Sequence, residues 1–92
     1  MKIQLKQLAQ TLPNTPIHLP HTGGDTLTCW LLEPRPDEAL DTFYLCLEGE
    51  LLVDLPHGDF VHLKKQEAAR IEAGKTRVLT PVGKTLVLML RL

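Results

Sequence analysis

The sequence predicts an all-β domain, and three observations lead to that fold class. After Thr26 the chain divides into short apolar segments, each of about four to eight residues. Turn-forming residues such as Pro56-His57-Gly58-Asp59 and Gly74 end these segments. No segment after Thr26 is both long enough and free enough of glycine and proline for a helix of about ten residues. This rhythm of strands and turns is typical of an antiparallel sandwich or barrel.

Seven strands are predicted, and the last one shows the clearest alternation of side chains. In that strand Leu86, Leu88 and Leu90 share one face, while Thr85 and Arg91 lie on the other. The predicted strands cover residues 27–32, 43–47, 51–55, 60–63, 68–71, 77–80 and 85–92. The predicted breaks between them include Pro34 with Pro36, Glu48-Gly49-Glu50, residues 64–67, and Pro81 with Gly83.

The whole chain is predicted to form one domain, because no repeat, low-complexity stretch or change in composition divides it. Residues 1–25 are predicted to be an N-terminal segment and loop, and residues 26–92 the barrel. Prolines and glycines predict a loop over residues 13–25, with a brief extended piece around Ile17 and Leu19.

The first twelve residues of the chain predict a short helix. Leu5, Leu8 and Leu12 recur at spacings of three and four, which fits an amphipathic helix that ends before Pro13. Ile3 and Leu5 also alternate as in a strand, so an extended segment stays open as the alternative.

The charge balance argues against a nucleic-acid partner. Ten Lys and Arg stand against eleven Asp and Glu, a formal net charge of −1. Binding to a phosphate backbone requires an excess of basic residues, so we expect no nucleic acid.

The apolar runs and cysteines predict a cytoplasmic protein without membrane contact. The longest apolar runs, residues 43–47 and 86–90, are far shorter than the roughly 20 residues that span a bilayer. The N-terminus also lacks the apolar core of a secretory signal. Cys29 and Cys46, each inside an apolar segment, fit buried thiols in a reducing compartment.

Two stretches of the sequence resemble the motifs of the small single-domain cupins: FYLCLEGEL at 43–51 and ARIEAG at 69–74. In that family the first motif ends in a strand of the form E, six residues, G. The second motif reads G-D, an apolar strand, then P-x-G-x-x-H. The resemblance covers residues 27–92 and implies a double-stranded β-helix, which is a jelly-roll barrel of two sheets, and usually a homodimer.

The resemblance also implies a metal site, from which this sequence departs at each ligand position. Cupin enzymes hold the metal with two histidines and a glutamate from the first motif and a histidine from the second. Counting back from Gly49 puts Thr42 in the glutamate position, and residues 35–38 contain no histidine. Counting forward from Gly74 puts Arg77 in the place of the last histidine. A guanidinium repels a cation and offers no lone pair, so we expect no metal and no cofactor.

The four histidines leave a relocated metal site as an alternative. His18 and His21 are close enough in sequence to chelate a metal, with Asp25 as a third ligand, or they are simply solvated. His57 falls in a predicted turn, where a polar side chain is expected. His62 is expected to make a cross-strand or partner contact.

The cupin alignment predicts which side chains line the barrel interior. Side chains on one strand face recur at every second residue, so Thr42, Tyr44 and Cys46 are expected inside, as are Arg77 and Leu79. The face occupied by Trp30 is ambiguous. The predicted ligand-contacting residues are therefore Thr42, Tyr44, Cys46, Arg77, Leu79 and Trp30, a set that suits a small anionic ligand.

Each polar residue of this set also has a purely structural interpretation. Arg77 is alternatively paired with Glu72 or Asp41, or directed to the barrel mouth. Tyr44 and Trp30 are alternatively core residues, and Cys46 is interpreted as an inert thiol rather than a nucleophile. Asp37, Glu38 and Asp41 form an acidic cluster that is either solvated or holds a cation.

Three functional hypotheses follow from these patterns, and none assigns a catalytic residue. The favoured one is a metal-free cupin that binds or senses a small anionic molecule. The others are a structural oligomerisation barrel and a metal-dependent isomerase or dioxygenase with relocated ligands. Phe43, Leu45 and Leu47 make the opposite strand face apolar as well, so the N-terminal segment or a second copy must cover it. We expect a homodimer whose interface uses this face and the predicted helix around Leu5 to Leu12.

Overall fold

The computed structural model describes residues 4–11, 13–18 and 27–92, which contain one α-helix and seven strands. In chain order these are α1 (Leu5–Thr11), β1 (Ile17–His18), β2 (Leu27–Leu31), β3 (Arg35–Asp37), β4 (Thr42–Asp54), β5 (Phe60–Leu63), β6 (Ala68–Ile71) and β7 (Arg77–Arg91). Every strand pair is antiparallel, so the predicted all-β class is confirmed. Ile3, Leu12, Leu19 and the side chains of Leu5 and Leu8 lie outside the described residues.

The seven strands are hydrogen-bonded into one continuous sheet, and its two long strands, β4 and β7, run through both halves, which we call the first and second sheets of the barrel. The two long strands pair from Thr42 opposite Arg91 to Asp54 opposite Val78. Near Arg91 the pair is flanked by β2 and β6, with β1 beyond β2. These three strands and the adjoining parts of β4 and β7 form the first sheet. At its other end the pair is flanked by β3 and β5, which complete the second sheet. The two sheets share one interior, as in a jelly roll.

A β-bulge at Gly49 lets β4 pass from one sheet to the other. The register against β7 shifts between Cys46 and Glu48 and again between Glu48 and Glu50. Gly49 has a φ of +79°, and a Cβ there would lie 2.3 Å from the backbone oxygen of Lys84. The predicted break at this position is wrong, because a bulge uses the same glycine signal as a turn but bends the strand without ending it.

Prolines that were expected to end strands lie within them. Pro81 and Gly83 fall inside β7, with Pro81 opposite Leu51. Pro36 lies in β3, opposite Val78. Among the described strands β3 pairs with β7 alone, and an edge strand tolerates proline because its missing N–H can face away from the ladder.

The barrel interior is apolar over most of its length. Side chains from both sheets form one buried cluster, which includes Trp30, Tyr44, Cys46, Met89, Leu51 and Leu79. Trp30, whose direction the sequence left ambiguous, belongs to this cluster and is 8% exposed. Of the four aromatic side chains, Trp30 and Tyr44 thus pack in the interior.

Helix α1 covers part of the outer face of the first sheet. Ala9 of α1, Cys29 of β2 and Leu86 of β7 form a second buried cluster, against which Leu47 packs. The N-terminal segment is therefore the cover near Leu47, whereas Phe43 on the same strand stays 37% exposed. Within the described residues no helix is long and apolar enough to cross a membrane.

Candidate functional site

Five polar side chains form a connected cluster inside the barrel. We call Asp37, Thr42, Tyr44, Arg77 and Arg91 the polar cluster. Thr42, Tyr44 and Arg77 are at most 3% exposed, and the side chain of Asp37 is 4% exposed. Two members of the polar cluster, Arg77 and Arg91, are the first and last residues of β7, a strand that runs through both sheets.

Arg77 directs its guanidinium inward and donates to neutral acceptors. Nε donates to the carbonyl of Lys75 at 3.0 Å, and Nη2 to that of Glu72 at 2.9 Å. Nη1 donates to the carbonyl of Leu40 at 2.8 Å and to the Tyr44 hydroxyl at 3.2 Å. These bonds use four of the five N–H groups of a guanidinium, so one on Nη2 has no acceptor among the described residues.

Asp37 and Arg91 form the one ion pair of the polar cluster. Arg91 Nη2 donates to Asp37 Oδ1 at 2.8 Å, and Nη1 donates to Oδ2 at 3.0 Å. The Tyr44 hydroxyl also donates to Asp37 Oδ2. Arg91 Nη1 donates further to Thr42 Oγ1 at 2.6 Å. Every buried polar side-chain atom in the described residues has at least one hydrogen-bond partner.

The charges of the polar cluster do not cancel. Burial alone would raise the pKa of Asp37, but the hydrogen bonds from Arg91 and Tyr44 and the charge of Arg91 outweigh burial and hold this pKa below its usual 3.8. Burial raises the pKa of Tyr44 above 10, so its hydroxyl stays protonated. The cluster therefore holds two guanidinium groups and one carboxylate. Since that carboxylate is paired with Arg91, Arg77 is the guanidinium to which no carboxylate is hydrogen-bonded; its charge acts on Asp41 only through space, and Asp41 is bound by Arg70.

A pocket of about 430 Å³ opens next to Arg77 at the end of the second sheet. We call it the rim pocket. Its walls include Pro36, Leu55 and Val78, and its polar lining includes Arg77, Thr76 and Asp54. Its volume and its mainly apolar walls with a few polar groups are typical of small-molecule sites.

A second pocket of about 250 Å³ lies beyond Leu55 and Pro56, which line both pockets. His57, Asp59 and Lys75 contribute its polar lining. This second pocket extends the rim pocket along the tip of the hairpin between β4 and β5.

The predicted ligand-contacting residues separate into two groups. Thr42, Tyr44 and Arg77 come together in the polar cluster, and Arg77 also lines the rim pocket. Trp30, Cys46 and Leu79 lie in the apolar cluster and do not line the rim pocket. Among the six, the rim pocket thus touches Arg77 alone.

The predicted structural roles of the charged residues need correction. Arg77 pairs with neither Glu72 nor Asp41 through their side chains: it contacts the Glu72 carbonyl, while Asp41 pairs with Arg70 at 2.6 Å. Asp37 is not solvated with its neighbours but buried against Arg91. The prediction for Asp37 was wrong because Pro34 and Pro36, which precede it, concealed the strand β3 that turns its side chain inward.

Sequence reasoning also missed Arg91 and Asp54. The alternation of the last strand places Arg91 on the face opposite the leucines, a pattern that by itself favours the leucines inside and Arg91 outside. Nothing in the sequence marked Asp54, because its role depends on the position of the rim pocket.

The surroundings of Trp30 and of the two cysteines indicate structural roles for these residues. The indole N–H of Trp30 donates to Thr28 Oγ1 at 2.9 Å, and the guanidinium of Arg35 lies 4.4 Å from its ring centroid. Burial raises the pKa of Cys29 from 9.0 to about 11. Burial, followed by the charges of Glu50 and Glu67, raises the pKa of Cys46 as well. Both thiols are therefore poor nucleophiles near neutral pH.

The cupin metal positions carry side chains that do not fit a metal ion. Thr42 offers a neutral hydroxyl that accepts from Arg91, and Arg77 offers a cation without a lone pair. In the described parts of the chain no group of three or more His, Cys, Asp or Glu side chains could hold a metal. His62 contacts Glu50 of the neighbouring strand at 3.0 Å. His21, Asp25 and the side chain of His18 lie outside the described residues.

Comparison with known structures identifies the fold. Comparison with protein families and with curated proteins finds no match. A protein of Neisseria meningitidis superposes with a TM-score of 0.76 at 19% identity over the full length of both chains. A cupin-2 domain containing protein from Shewanella frigidimarina has a TM-score of 0.75 at 12% identity, with 95% of this chain and 90% of that chain covered.

A third similar structure is a putative ethanolamine utilization protein Q from Salmonella typhimurium. Its TM-score is 0.56 at 19% identity, over 82% of this chain and 63% of that one. The chain therefore has the fold of a small cupin, as its motifs predicted. At these identities the likeness describes the fold alone, so function has to be argued from the site.

Proposed function

We propose that this protein is a binding or sensing module for a small anionic molecule, a carboxylate held in the rim pocket. The observation that carries the proposal is the charge of Arg77. Arg77, whose guanidinium is buried, is one of the residues that line the rim pocket, and no carboxylate among the described residues forms an ion pair with it. A carboxylate matches a guanidinium in both charge and hydrogen-bond geometry.

The polar cluster supports a binding role over a catalytic one. Its buried polar groups are hydrogen-bonded to each other or to carbonyls, which makes the interior rigid and leaves no obvious general base. Asp37, the carboxylate beside the pocket, is bound by Arg91 and Tyr44. A bound anion would add the missing negative charge without disturbing this arrangement.

Titration calorimetry with hexanoate tests the proposal, because this probe joins a carboxylate to an apolar chain that suits the pocket walls. Val78→Trp fills the rim pocket, and Val82→Trp is its matched control. Both valines are exposed on β7, by 44% and 52%, but only Val78 lines the rim pocket. We expect Val78→Trp to weaken binding by at least about tenfold and Val82→Trp to bind like the wild type.

Arg77→Lys is the second variant, since it keeps the charge but loses the forked donors. We expect it to fold and to bind hexanoate more weakly than the wild type. Absence of hexanoate binding to the wild type, or equal binding by Val78→Trp and Val82→Trp, would overturn the proposal.

A second candidate role, a homodimeric barrel, rests on the uncovered part of the first sheet. Phe43 of β4 is 37% exposed there. It pairs with Leu90 of the neighbouring strand β7, and Leu90 pairs on its other side with Leu27 of β2. A sheet that is apolar on both faces requires a cover on both. Because α1 packs near Leu47 instead, we propose a second copy of the chain as the cover near Phe43. This role is compatible with ligand binding at the other end of β4.

A further inference from the structure

We infer that the ligand of the rim pocket is a zwitterion, whose carboxylate faces Arg77 and whose ammonium group, several carbons away, faces Asp54. The inference rests on the proposed function and adds the chemical class of the ligand. It depends on a second unpaired charge in the same pocket, opposite in sign to that of Arg77.

Asp54 supplies this negative charge. It is the last residue of β4, is exposed, and lines the rim pocket. Its Oδ2 accepts a hydrogen bond from Thr80 Oγ1 at 2.8 Å. No cation pairs with Asp54 in the described parts of the chain, so its carboxylate is available to an ammonium group.

Asp37 is the third charged residue that lines the rim pocket, and its charge is already neutralised by Arg91. Asp37 is held by two hydrogen bonds from Arg91. Arg77 and Asp54 are therefore the two charges of the rim pocket that lack an ion-pair partner within the described residues. A ligand with a single negative charge would satisfy Arg77 and leave Asp54 as a nearby repulsive charge.

The strand pleat puts the side chains of Arg77 and Asp54 on opposite faces of the second sheet. Asp54 lies opposite Val78, so these two side chains project from the same face of the second sheet. Arg77 precedes Val78, and its side chain projects to the other face, into the barrel. The two protein charges thus lie on opposite sides of the rim. A ligand that meets both needs its carboxylate and its ammonium group separated by a chain, not attached to one carbon.

Most of the rim pocket wall is apolar. Pro36, Leu55 and Val78 line the rim pocket together with Arg77 and Asp54. A methylene chain packs favourably on such walls because its burial removes apolar surface from water. An ω-amino acid has this combination of two separated charges and an apolar chain.

Calorimetry on the full chain with four six-carbon compounds tests whether the ligand needs a carboxylate, an ammonium group and a chain between them. The compounds are 6-aminohexanoate, hexanoate, hexylamine, and 2-aminohexanoate, which carries both charges on neighbouring positions at one end. An exposed ion pair contributes little, so we expect 6-aminohexanoate to bind about two- to fivefold more tightly than hexanoate. The 2-aminohexanoate and hexylamine are expected to bind more weakly than 6-aminohexanoate.

Asp54→Asn is the decisive variant, because asparagine keeps an oxygen for Thr80 but removes the charge. It is expected to bind hexanoate and 6-aminohexanoate equally. Glu50→Gln is the control: it removes a charge from the same strand but does not line the rim pocket, and is expected to keep the preference.

Equal affinities of the wild type for hexanoate and 6-aminohexanoate would overturn this inference while leaving the carboxylate site intact. Persistence of the preference in Asp54→Asn would overturn it as well. Failure of both hexanoate and 6-aminohexanoate to bind would instead overturn the proposed function, and this inference with it.

Discussion

Arg91 donates two hydrogen bonds to the carboxylate of Asp37, a residue 54 positions earlier in the chain. This contact neutralises the buried carboxylate next to the rim pocket. It also distinguishes the two guanidinium groups of the polar cluster, because Arg91 is paired with a carboxylate and the buried Arg77 is not. The anion-binding proposal depends on that difference.

Loss of Arg91 is predicted to destabilise the fold strongly. Arg91→Gln leaves the buried charge of Asp37 without its cation, so we expect the free energy of unfolding to fall by about 3 kcal/mol. Urea denaturation followed by circular dichroism measures this change.

Arg70→Gln is the matched control for that experiment. Arg70 also pairs with an aspartate, Asp41, but its side chain is 58% exposed. An exposed pair contributes little, and we expect a change of less than about 1 kcal/mol. Equal losses in the two variants would contradict the structural role assigned to the Asp37 and Arg91 pair.

Stability is predicted to fall in acid because of Asp37. Its pKa lies below 3.8 in the folded chain and near 3.8 in the unfolded chain, so the unfolded state binds more protons in this range. The stabilisation from Asp37 is complete above about pH 5 and is lost as the pH falls through the folded pKa.

Thermal melts between about pH 6 and pH 2.5 test this dependence. Asp37→Asn is expected to flatten the acid slope. Asp41→Asn serves for comparison, because Arg70 also lowers the pKa of Asp41, but at an exposed site. A wild-type slope retained in Asp37→Asn would show that other carboxyl groups determine the acid sensitivity.

Gly49 is predicted to tolerate no side chain, and the chain offers a matched glycine for comparison. Gly49 and Gly74 have φ values of +79° and +87°, but only at Gly49 does a Cβ meet other atoms. We expect Gly74→Ala to cost about 1 kcal/mol, from conformation alone, and Gly49→Ala to cost about 3 kcal/mol or more. Chemical denaturation of both variants measures the difference, and similar losses would argue against the close approach of Lys84.

The proposed homodimer is predicted to depend on Phe43. Phe43→Lys places a charge on the uncovered part of the first sheet and is expected to convert the dimer to a monomer. Phe60→Lys changes a phenylalanine that is 62% exposed at the edge of the second sheet, and is expected to stay dimeric. Light scattering at micromolar concentration measures both, and a monomeric wild type would end the proposal.

Local patterns predicted the fold class because they depend on neighbouring residues. Alternation along β7 and the spacing of Leu5 and Leu8 required no knowledge of the tertiary structure. The bulge at Gly49 and the proline within β3 could not be predicted in this way. The same residues end a strand or bend it according to what lies opposite them.

The polar cluster was only half predictable for a similar reason. The cupin alignment, combined with strand parity, indicated that Thr42, Tyr44 and Arg77 face inward. The partner of Arg91 could not be predicted, because Asp37 lies 54 residues away in sequence and in a short strand that contains a proline. The rim pocket likewise forms only when the end of β4 meets the start of β7.

Side-chain ¹⁵N NMR of the arginines tests most directly whether the guanidinium of Arg77 meets a carboxylate. Added hexanoate is predicted to shift the Arg77 Nε resonance and the backbone amides of Thr76 and Val78 in a saturable manner. The Arg91 Nε resonance is predicted to stay in place, because that guanidinium is already paired with Asp37. Hexanoate that leaves the Arg77 resonance unchanged, whether or not it binds elsewhere, would contradict an anion site at the rim pocket.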